Sequence, residues 1–84
     1  MPEITRFYGI LIKMFFTQAE HNPPHFHAIY GDYNGTIYLN TLQMKEGDLP
    51  ANAKRLVLEW ATKYQTELLK MWNEKQITKL PPLE

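Results

Sequence analysis

The chain has 84 residues, with nine basic and nine acidic side chains, three histidines and no cysteine. The missing cysteines exclude disulfides, thiolate catalysis and cysteine-based zinc sites, and the balanced charge provides no overall field to draw in nucleic acid or anionic lipid. Apolar residues make up 44% and aromatics 13%, enough for one modest core in a single domain over 1–84 and too many for disorder.

No secretory leader is visible, since "MPEITRFYGILIKMFF" opens with Pro and Glu and carries Arg6 and Lys13 inside its apolar run. The run also falls well short of the roughly 20 apolar residues that span a bilayer. The expectation is a soluble cytoplasmic protein with no membrane segment.

Residues 4–16 read as one strand. Tyr8, Ile10, Ile12, Met14 and Phe16 alternate with a set that includes Gly9 and Lys13, so the even side is expected in the core. A loop over 17–25, "TQAEHNPPH", holds Pro23 and Pro24, which donate no N–H and push the preceding residues towards extended backbone. A hairpin over 26–42 follows, with Asn34-Gly35 as its tight turn. That turn sets a register in which Ile29 faces Asn40 and His27 faces Leu42. One face then carries Phe26, Ala28, Tyr30, Ile37, Leu39 and Thr41, and the other carries His25, His27, Ile29, Tyr38, Asn40 and Leu42.

A connector over 43–49 leads to Pro50, which suits the first turn of a helix, with Asp48 just ahead suiting its dipole. The helix is expected over 50–76. Ala53, Leu56, Val57, Trp60, Ala61, Tyr64, Leu68 and Met71 form its buried stripe, and Tyr64–Thr66 its weakest point. One long helix is preferred to two pieces. Leu58, Leu69 and Trp72 flank the stripe as the edge of a wide core or, less simply, a partner surface. The tail over 77–84 is too Pro-rich to continue the helix and is expected across the surface, pinned by Ile77, Leu80 and Leu83.

The predicted fold is therefore α+β: a small antiparallel sheet of about three strands, one face covered by a long C-terminal helix. The opposite face would stay open, lined by Phe7, Leu11, Phe15, Ile29 and Leu42 beside the histidines. Such a face suits a protein partner or a homodimer.

All three histidines fall within seven residues, His21, His25 and His27. On a strand His25 and His27 point the same way and can reach one ion, with His21 swinging in as a third ligand for zinc or another divalent transition metal. The same pair can serve as general base and acid in RNA cleavage, with Lys13, Tyr38 and Asn40 as neighbours supplying a cation and hydrogen bonds. The plainer alternative is a turn in which the histidines bond loop carbonyls and pack on proline rings. No other nucleophile or nucleotide motif stands out: there is no serine, no P-loop and no dinucleotide fingerprint, so no nucleotide cofactor is expected.

The segments "HNPPHFHAIYGDY", "GDLP", "LVLEW", "ELLKMW" and "PPLE" resemble the bacterial family of unknown function numbered 4160 over essentially the whole chain. The resemblance transfers no activity. It implies a neighbouring gene of another small family, numbered 2442, in a layout like that of toxin–antitoxin modules, and hence a protein partner. A looser fold-level likeness is to small ribonuclease toxins of the HicA type, which use a strand histidine. His27 would be its nearest counterpart here and His25 the second, although such toxins tend to be basic and this chain is neutral.

Overall fold

A computed structural model of the chain describes residues 3–15 and 23–83. The fold is α+β, an antiparallel sheet followed by one C-terminal helix, and the sheet has five strands where the sequence suggested three. They are β1 (Glu3–Phe7), β2 (Ile10–Lys13), β3 (His25–Tyr30), β4 (Tyr33–Tyr38) and β5 (Gln43–Gly47), joined side by side in chain order.

Two of the strands come from splitting the segment expected as one. Tyr8 and Gly9 both take positive φ, 50° and 79°, the pattern of a two-residue I′ hairpin turn. The turn sets Phe7 opposite Ile10, so Phe7 enters the core and Tyr8 is left exposed, the reverse of the alternation read from the sequence. A fifth strand forms in the expected connector, where Gln43 to Gly47 pair with β4.

The β3–β4 turn lies at Gly31-Asp32, not at Asn34-Gly35, and Tyr30 faces Tyr33. Gly31 takes φ 59° at the first turn position, the place where a II′ turn wants glycine. Gly35 sits inside β4 for a different reason. A Cβ there would come 2.7 Å from the Met44 sulfur and 3.2 Å from Leu49, so the missing side chain is what lets these two residues close over the strand.

Helix α1 (Ala51–Glu74) starts after Pro50, whose carbonyl accepts the first helical bond from the Lys54 N–H at 2.9 Å. It runs as one element with a local kink at Tyr64 (φ −115°, ψ 20°), within the stretch marked as weak. Gln65, next along, donates its side-chain N–H to the Leu39 carbonyl, fastening the kink to the β4–β5 turn. Lys75 closes the helix in left-handed conformation, and the Gln76 N–H reaches back to the Met71 carbonyl at 3.1 Å.

The core lies between helix and sheet. Trp60 stacks among Phe7, Phe26 and Tyr64, with centroids 5.8, 6.0 and 5.6 Å away. Leu58 and Leu69 are half-buried against the same core, and Trp72 is buried in it. They are the margin of a wide apolar stripe, not a separate surface. The segment after the helix is tied to β1 and to α1: Ile77, Leu80 and Leu83 pack on the core, the Leu80 N–H donates to the Ile4 carbonyl at 3.3 Å, and the Trp60 indole N–H donates to the Pro81 carbonyl at 2.8 Å.

Candidate functional site

The approach to β3 fixes where the histidines stand. Pro23 and Pro24 hold the chain extended, and the Pro24 carbonyl accepts the Leu39 N–H at 2.8 Å, tying the entry of β3 to the end of β4. From there His25, His27 and Ile29 share the outer face of the sheet. The register is explicit: Lys13 stands opposite His27, His27 opposite Thr36, and Thr36 opposite Glu46. His25 stands opposite Tyr38.

Pro23, His25, His27, Thr36, Tyr38 and Glu46 line one concavity of about 150 Å³. His25 is buried, 8% exposed, and its Nδ1 lies 2.9 Å from the Pro23 carbonyl. A carbonyl oxygen only accepts, so Nδ1 carries the proton, and in the neutral ring Nε2 keeps the lone pair. His27 sits edge-on to His25, with centroids 5.3 Å apart, and edge-on to Phe15 at the same spacing. Its Nδ1 makes a long 3.4 Å contact with the Thr36 hydroxyl.

Burial holds the His27 pKa below the usual imidazole value, and the neighbouring His25 lowers it further, while Glu46 pulls part of the way back. These surroundings favour the neutral, basic form of the His27 ring. The concavity thus combines two imidazoles, two hydroxyl groups and a carboxylate, groups that can exchange protons or donate lone pairs.

Of the residues anticipated from sequence, His25, His27 and Tyr38 come together here. Lys13 shares the His27 row one strand away and lies outside the concavity's lining. Asn40 is exposed in the turn after β4 and takes no part, because Asn34 holds the place opposite Ile29 that Asn40 was expected to fill. Leu42, expected opposite His27, turns back at φ 55° and packs on the core. His21 lies outside the described residues. Thr36 and Glu46 were missed, and a turn placed at Gly31-Asp32 would have put Thr36 opposite His27 directly; the bond from His25 to the Pro23 carbonyl is the loop-carbonyl contact that the plainer turn reading anticipated.

Among the described residues, no three His, Cys, Asp or Glu side chains assemble as a metal cage, and no helix is long and apolar enough to cross a membrane. A family model described as a domain of unknown function, DUF4160, matches residues 9–73. No curated protein matches, and no solved structure matches.

Proposed function

The chain belongs to this family, DUF4160, and because the description names no activity we propose a function from the outer sheet face: a small bacterial, cytoplasmic interaction or regulatory domain that docks a protein partner, as one member of a two-gene pair of toxin–antitoxin type. The observation that carries this reading is the make-up of that face. Phe15 is 41% exposed against His27, and on the far side of the Lys13–His27 row the half-buried Leu11 and Ile29 are cross-strand partners. Apolar side chains left accessible on one face beside a polar row suit a docking surface.

The charges around it favour protein over RNA. Glu3, Lys13 and Glu46 alternate in sign along the His27 row, and Arg6 is held by Glu3 at 3.4 Å. A mixed row gives a polyanion little net attraction, whereas a protein with complementary charges can register against it. The test is co-expression with the neighbouring gene product, followed by light scattering on the purified material. A defined complex that is lost in Ile29→Glu supports the reading. A monodisperse monomer with no complex sinks it, and self-association lost in the same variant makes a second copy the occupant.

A second reading, a His-dependent ribonuclease, draws on the neutral His27 beside the Thr36 hydroxyl and Glu46 carboxylate, a base poised to take a ribose 2′-hydroxyl proton. Induction of the chain alone in a bacterial host distinguishes the two. Growth arrest abolished by His27→Ala in a folded protein favours cleavage; unimpaired growth leaves the binding module.

A further inference from the structure

The concavity at the end of β3 presents two imidazoles in an arrangement that a protein–protein contact does not require. The Nδ1–H of His25 is committed to the Pro23 carbonyl at 2.9 Å. Metal-ligating histidines characteristically donate their other ring N–H to such a group, which fixes the tautomer and ring orientation. The Nδ1 of His27 is likewise occupied, by the Thr36 hydroxyl at 3.4 Å. His25 therefore keeps the Nε2 lone pair for a ligand, and His27 offers its Nε2 in the tautomer where Nδ1 donates to the Thr36 hydroxyl.

The spacing of their ring centres matches that of two imidazoles sharing one ion. Zinc–nitrogen bonds of about 2.0–2.1 Å, plus about 1.1 Å from each nitrogen to its ring centre, put two imidazoles in tetrahedral relation with centroids about 5.2 Å apart. The observed separation is 5.3 Å, with planes 82° apart. The carboxylate of Glu46 stands in the His27 row, lines the same concavity and is exposed.

We propose that His25 and His27 bind a first-row divalent transition ion of the zinc class through their Nε2 atoms, with the Glu46 carboxylate swinging in as third donor and water completing the shell. The nitrogen and oxygen donors suit zinc, nickel, cobalt or copper over magnesium or calcium. Binding displaces any proton held on either Nε2, so affinity weakens as pH falls below the imidazole range.

The test is titration of the full chain with Zn²⁺ alone by calorimetry, and with Co²⁺ followed by visible absorption. One ion per chain and an intense tetrahedral cobalt spectrum are expected. Losing an outer-shell partner typically weakens a site about 10–100-fold, so removing a ligand in His27→Gln should cost tenfold or more, and Glu46→Gln should also weaken binding measurably. Because His25 is buried and its substitution would disturb the packing at the start of β3, His27→Gln, with circular dichroism as the folding control, is the deciding variant. Absence of stoichiometric binding overturns the site. So does binding that survives His27→Gln, or binding abolished by His21→Gln while His27→Gln retains it.

Discussion

The imidazole of His25 lies against the indole of Trp72, with ring centroids 5.0 Å apart. The first residue of β3 is thereby joined to the last turns of a helix that otherwise serves the core. Trp72 is buried, and the Lys75 ammonium sits 4.6 Å from its ring centroid. Packing the end of the helix and setting the rim of the concavity are one interaction.

Trp72→Ala is therefore expected to cost about 3–5 kcal/mol, the usual range for deleting a buried aromatic, and to shift the His25 ring resonances. Trp72→Phe, which keeps a ring in place, should lose much less. Urea unfolding with histidine NMR measures both, and a stability loss with unmoved His25 signals would deny the coupling.

The two glycines of the β4–β5 pair should respond differently to alanine. At Gly35 the added methyl meets the flexible end of Met44 and the Leu49 side chain, an overpacking expected to cost about 1–3 kcal/mol. At Gly47 it meets the Asn34 carbonyl, which is backbone, and the residue also holds φ 82°. Gly47→Ala should be the more damaging of the two. Equal denaturation midpoints would contradict this account of the bulged pairing.

Acid should weaken the fold through His27. Its pKa in the folded chain lies below the unfolded value of 6.5, so as pH falls through 6.5 the unfolded chain takes up a proton that the folded chain resists. No such penalty exists above 6.5, and it is complete below the folded pKa. Stability measured at pH 7.5 and at pH 5 should fall with acid, and His27→Gln should flatten that part of the slope. An NMR titration of His27 with a midpoint at or above 6.5 would reverse the sign and refute the prediction.

Trp60→Phe keeps most of the ring packing but removes the indole N–H that holds the Pro81 carbonyl. One hydrogen bond is worth about 0.5–1.5 kcal/mol net, and the larger effect should be local. Residues 77–83 should become more susceptible to limited proteolysis while the sheet amides stay protected in hydrogen exchange.

Much of this arrangement was legible because side-chain parity is robust to certain errors. The Asn34-Gly35 turn pairs residues whose numbers sum to 69, and the observed turn pairs residues that sum to 63. The slip is six positions along one strand, an even number, so the side chains within β3 and β4 keep their expected parity while every partner changes, whereas Thr41 and Leu42, now in the turn after β4, exchange exposed and core-packed places. Phe26, Ala28, Ile37 and Leu39 reached the core for that reason, and His27 found Thr36 in place of Leu42. An Asn-Gly pair is a strong local signal for a turn, but here Leu49 and Met44 need the bare glycine backbone, and that demand is tertiary. The split at Tyr8-Gly9 was missed because a largely apolar run on both sides conceals a two-residue turn, and β5 because Gln43, Lys45 and Glu46 show little of a strand's apolar character. The helix stripe, bearing on a single core, was read residue by residue.

The sheet is a meander whose spatial order repeats its chain order, and this bears on how the protein is made. As the chain leaves the ribosome each strand finds its neighbour already waiting, so the whole sheet can form once Gly47 has emerged. Its apolar side then stays bare until α1 follows, and the Leu80 and Pro81 contacts to Ile4 and Trp60 are made last, closing over the first strand synthesised. A ribosome stalled within the helix would therefore carry a finished but uncovered sheet, a species prone to aggregation.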